Sequence, residues 1–67
     1  MTVYDFMHKM GEYEAFHIVE CGTSVTGSEP TSLHDIKVHN DERESVLDAL
    51  EKQVVTIDAV EWVIYCE

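Results

Sequence analysis

Basic residues are scarce in this chain. Of its 67 residues only four are Lys or Arg, against 14 Asp and Glu, and the formal charge at pH 7 is −10. A surface of that sign repels nucleic acid and anionic membrane, and direct nucleic-acid binding needs the clustered Lys and Arg that are missing. The natural complement is a basic protein surface, although charge of this size also serves solubility alone. Long apolar runs are missing too. No stretch approaches the roughly 20 apolar residues of a membrane span, and residues 1–6 lack a basic region ahead of an apolar one. Cysteine occurs only as Cys21 and Cys66, too few for a disulfide framework. The expectation is a cytoplasmic protein with free thiols, in which a bridge requires the two cysteines to lie on neighbouring strands. No nucleophile elbow, phosphate-binding loop, Rossmann glycine pattern, C-x-x-C or H-E-x-x-H occurs.

Hydrophobic residues make up 45% of the chain, enough to build a core. The length allows one domain, residues 1–67, burying about 60% of the surface its unfolded chain exposes. Val3, Phe6, Met7 and Met10 share one helical face, which predicts a helix over residues 2–10. Thr2 caps it, Asp5 completes a capping box, and Gly11 ends it. Residues 13–21 read as a central strand, with apolar residues on both faces. After Gly22, residues 23–26 read as a short second strand and residues 27–30 as a loop. Residues 31–35 begin like a capped helix of about one turn. Residues 36–39 alternate like a short edge strand. Asn40 caps a helix over residues 41–51, whose apolar face is Val46, Leu47 and Leu50. The β-branched and aromatic segments 54–58 and 62–66 predict a terminal hairpin turning at residues 59–61, a turn without Gly or Asn to take positive φ.

The predicted fold is α+β: a small antiparallel sheet of three to five strands with two or three short helices on one face. The predicted core is Val3, Phe6, Met7, Phe16, Ile18, Val46, Leu47, Leu50, Val55, Ile57 and Ile64. Trp62 and Tyr65 fall on opposite faces of their strand, one for the core and one free to act as a binding anchor.

The sharpest chemical feature is the helix over residues 41–51. At about 100° per residue, Asp41, Glu44, Asp48 and Glu51 lie within about 80° of one another. Glu44 and Asp48 are a like-charge pair at i,i+4, and Glu51 places negative charge at a helix C-terminus; both arrangements oppose helix stability. The stripe rises about 15 Å, with carboxylates about 5–6 Å apart, close to the spacing of phosphates along a nucleic-acid strand. It therefore reads as a partner-binding surface, a nucleic-acid mimic addressed to a basic groove, or as an ordinary solvated helix face. His8, His17, His34 and His39 do not fall at metal-ligand spacing: His17 and Cys21 on one strand face would stand about 13 Å apart. No metal, no cofactor and no catalytic residue is expected, and the chain reads as a non-enzyme.

The opening run Thr2-Val3-Tyr4-Asp5-Phe6 and the run Leu50-Glu51-Lys52-Gln53-Val54-Val55-Thr56-Ile57-Asp58, followed by Trp62-Val63-Ile64-Tyr65, resemble the small acidic uncharacterised proteins of Gram-positive phages and conjugative elements. There the second run is a helix end followed by a terminal hairpin, with a glycine or asparagine at the turn that is missing here. The resemblance covers most of the chain and implies no catalytic residue. It implies a host-takeover role, in which the acidic protein blocks a host nucleic-acid-binding protein. The other expectation is a self-associating assembly module, a homodimer formed through the sheet edge at residues 36–39.

Overall fold

The computed structural model describes residues 1–38 and 44–67. Helix α1 spans Val3–Met10, with Thr2 as N-cap and Gly11 as C-cap. The Thr2 hydroxyl accepts from the Asp5 N–H at 3.1 Å, and the Asp5 carboxylate accepts from the Thr2 N–H at 3.2 Å. This reciprocal pair satisfies two amides that a helix start leaves orphaned. Gly11 takes φ 117° as its N–H closes on the Met7 carbonyl. Val3 and Met7 are fully buried.

Strands β1 (His17–Glu20) and β2 (Thr23–Ser24) form a tight hairpin. Cys21 and Gly22 both take positive φ at its turn, 50° and 84°, which matches the twist of the flanking strands. Helix α2 (Leu33–Val38) follows, then α3 (Glu44–Leu50), and the chain closes with β3 (Val54–Asp58) and β4 (Val63–Cys66). The sheet order is β2-β1-β4-β3. β1 lies in its interior, as the two apolar faces of residues 13–21 predict, although the strand covers only His17–Glu20 of that stretch.

The α+β class, the four strands and the three short helices agree with the expectation. The pairing of β1 with β4 adds what the sequence does not show. These strands run parallel, His17 opposite Val63 and Glu20 opposite Cys66, so the sheet is mixed. Ile18, Ile64 and Cys66 share the helix-covered face and join Val3, Met7, Phe16, Leu33, Ile36, Val46, Ala49 and Leu50 in one core. Phe6, Leu47 and Ile57 pack against it half-buried.

Two expectations about these elements need correction. Ile36 to Val38 are not an edge strand but belong to α2. Ser32 starts that helix with its own capping pair, its hydroxyl accepting from the Asp35 N–H at 3.1 Å while the Asp35 carboxylate accepts from the Ser32 N–H at 3.2 Å. Leu33 and Ile36 then fall one turn apart and are both buried. His39 lies outside the described residues. Val55 is not in the core but 59% exposed. A β-bulge between Val54 and Thr56 breaks the alternation there, and such an extra residue turns a side chain out of register. The terminal turn finds its positive φ at Trp62, 56°. Asp58 supports this turn by accepting from the N–H groups of Val60 and Glu61 at 2.9 and 3.2 Å.

The sheet's edges are short or covered. β2 has two residues, and β3 is bridged at its start by Thr2 opposite Gln53. Its remaining length carries the bulge and ends at Asp58, two ordinary devices against edge pairing.

Candidate functional site

α3 forms because Val46, Ala49 and Leu50 fall on one side of it and are buried against the other elements. That burial fixes which side faces water. Glu44 and Asp48 on the helix, and Glu51 just beyond its end, are all exposed. Taken at about 100° per residue, Glu44 and Asp48 lie within about 40° of one another on one face of the helix, and Glu51 stands in the turn that follows. Asp41, the fourth residue of the stripe, and Asn40, its expected cap, lie outside the described residues. α3 has no basic residue in its last turn, and the Glu51 N–H turns back to the Asp48 carbonyl at 3.2 Å.

Among the described residues, no cation offsets this face. Lys37 donates to Glu12 at 2.7 Å, and Lys52 stands 3.4 Å from Glu20. Among the described residues, Glu44, Asp48 and Glu51 form no ion pair. The contrast with Glu12 is direct: the hydrogen bond and charge of Lys37 hold the Glu12 carboxyl below its ordinary value, and Glu12 raises Lys37 in return.

Beside the acidic face runs an apolar groove that the sequence reading does not foresee. One stretch, about 320 Å³, lies between the three helices. Buried Leu33, Ile36 and Leu50 and half-buried Leu47 line it, with Tyr4 and the Glu12–Lys37 pair at its border. A second stretch, about 520 Å³, shares Tyr4, Leu47 and Leu50 with the first and continues to Thr2 and Glu51. The end of the groove at α2 is built by the loop after α1. Glu12 accepts through its carbonyl from the His34 N–H at 3.0 Å, and the Tyr13 ring packs on His34 at 4.9 Å. The available sequence signal was Leu47: it lies on the flank of the predicted apolar face, nearest the acids.

The described histidines and cysteines are dispersed. His8 stacks on Tyr4 at 5.8 Å, His34 packs on Tyr13, and His17 is half-buried on β1. Among the described residues, no three His, Cys, Asp or Glu side chains gather as metal ligands. Cys21 and Cys66 are both free thiols, one exposed and one buried. They do lie on neighbouring chain segments, the Cys21 N–H reaching the Cys66 carbonyl at 3.4 Å. Burial pushes the Cys66 thiol above its ordinary value, which makes it a poor nucleophile. Trp62 and Tyr65 are both partly exposed, 44% and 39%, rather than one buried and one free. The turn residue Trp62 packs edge-on against Phe16 at 5.7 Å, and Phe16 in turn meets Phe6 at 5.5 Å. Among the described residues, no helix is long and apolar enough to cross a membrane. Comparison with known proteins finds no matching family model, no matching curated protein and no matching solved structure.

Proposed function

We propose that this chain is a non-catalytic interaction module whose acidic α3 face meets a basic surface on another protein. The observation that carries the reading is the exposed row Glu44, Asp48 and Glu51, without a cation among the described residues while Lys37 and Lys52 are engaged elsewhere. Such a row gains little from the described part of its own chain and repels itself. A partner's Lys or Arg would relieve that repulsion and steer association. The spacing of the carboxylates along α3 supports the finer reading, that the partner's surface normally holds a nucleic-acid backbone. The resemblance to phage and conjugative-element proteins would make that partner a host nucleic-acid-binding protein.

The test is affinity capture from the natural host at low and high salt, with the wild type beside a variant carrying Asp41→Asn, Glu44→Gln, Asp48→Asn and Glu51→Gln. The expected result is one basic protein retained at low salt, lost at high salt, lost with the variant, and displaced by added duplex DNA. Retention unchanged by the variant would sink the acidic-face reading. Recovery of the chain itself alone would favour the homodimer instead, formed by another surface than the expected edge at residues 36–39, whose described part belongs to α2.

A further inference from the structure

We propose that the groove along α3 docks an amphipathic basic helix, its apolar ridge seated between Tyr4, Leu47 and Leu50 and its Lys or Arg side chains laid on Glu44, Asp48 and Glu51. This rests on the basic-partner reading above and adds to it the apolar half of the contact.

Two independent features meet at α3. Its acidic row is exposed, and two apolar hollows adjoin at Tyr4, Leu47 and Leu50, which line both. Around the helix axis, at about 100° per residue, the order is Leu50, Leu47, Glu44, Asp48. Leu47 thus lies between the buried side of α3 and its acids, and its half-buried side chain lines the groove. Apolar surface and carboxylates stand side by side along one helix, with Glu51 itself bordering the groove. The cation on the described border, Lys37, is bound to Glu12 at 2.7 Å.

That arrangement selects among occupants by charge. A second copy carries the same net charge of −10 and would bring acids against acids. An anionic membrane is repelled for the same reason. A wholly basic flexible segment would satisfy the carboxylates but leave the groove in water. An amphipathic helix satisfies both, because residues three and four apart place apolar anchors in one row and basic residues in the row beside it. A groove bordered by helices also suits ridge-into-groove packing, the recognition mode in which an apolar helix face is laid into a hydrophobic groove.

The probe is a peptide of about 14 Leu and Lys residues, long enough to form a helix on binding, with Leu at helical spacing. Its control is a peptide of the same composition with that spacing scrambled. Both are titrated into isotope-labelled protein and followed by the backbone amide signals. The periodic peptide is expected to bind about tenfold tighter, the worth of seating roughly one Leu side chain, and to shift the amides of Tyr4, Leu47 and Leu50. Leu47→Gln should remove that tenfold difference while leaving the weaker binding of the scrambled peptide. Tyr4→Ser, at a residue 46% exposed, should do the same and stands in if Leu47→Gln fails to fold. Equal affinity for the two peptides would overturn the groove proposal and leave the acidic face standing. If the triple variant Glu44→Gln, Asp48→Asn, Glu51→Gln loses affinity for neither peptide, the acidic-face reading fails, and this proposal with it.

Discussion

Helices α1 and α3 are almost the same length, eight and seven residues, yet they are held by different means. α1 carries its own instructions: a capping box at one end, a glycine at the other, acid in its first turn and His8 and Lys9 in its last. α3 has no basic residue in its last turn, and its acids at positions 44 and 48 repel each other. It is fixed by Val46, Ala49 and Leu50, buried among other elements, whereas α1 adds its caps to the burial of Val3 and Met7. A helix held by its neighbours can carry charge that a self-sufficient helix would not tolerate. The surface proposed for binding therefore lies on a helix whose described residues are held by burial.

The sharpest way to break this comparison is Leu50→Ala. If α3 depends on burial, the variant should lose about 2–4 kcal/mol, the usual cost of removing a core leucine, measured by urea unfolding. A loss below about 1 kcal/mol would show that α3 holds itself. Thr2→Ala attacks α1 where it is self-sufficient. It should cost about 1 kcal/mol and speed hydrogen exchange first in the opening turn of α1.

Acid sharpens the same point. The Thr2 N–H, and then the Thr2 hydroxyl, hold the Asp5 carboxyl below its ordinary value. A carboxyl depressed in the folded state stabilises fully above its unfolded pKa, and that contribution is lost as pH falls through the lower, folded value. The melting temperature of the wild type should therefore fall further than that of Asp5→Asn as pH drops from about 5 to about 2.5. An equal fall in both would remove Asp5 from the account. The smallest effect is expected at α3: Asp48→Asn with Glu51→Gln should stabilise by a few tenths of a kcal/mol while weakening capture of a basic partner. A variant that gains stability and also keeps its binding would separate the unfavourable charges from function.

What could be read from the sequence divides along the same line. α1 was legible to its caps, because Thr2, Asp5 and Gly11 act within one stretch of chain. The interior position of β1 and the β3–β4 hairpin were legible from their apolar content. The exposure of Glu44, Asp48 and Glu51 followed from helical spacing alone. Residues 36–38 misled, because Ile36 and Val38 alternate like a strand while the deciding signal, Ser32 with Asp35, lies upstream. Val55 misled because a bulge has no sequence mark. The turn at Trp62 takes positive φ without glycine, and Trp62 packs on Phe16, a residue distant in the chain. The groove was not legible, since it exists only where α1, α2 and α3 come together.

The parallel register of β1 with β4 sets an order of events. β1 and β2 can form a hairpin early, and β3 and β4 can form another, each from residues close in sequence. Neither hairpin has a core until the two halves meet, because Ile18 comes from one and Ile64 and Cys66 from the other. Joining them closes a loop that holds both α2 and α3, and such long closures slow folding. A chain emerging from the ribosome thus cannot complete its core until Cys66 is clear of the exit. Until then α3 can rest on α1 and β1 alone, and the core it belongs to lacks Ile64 and Cys66.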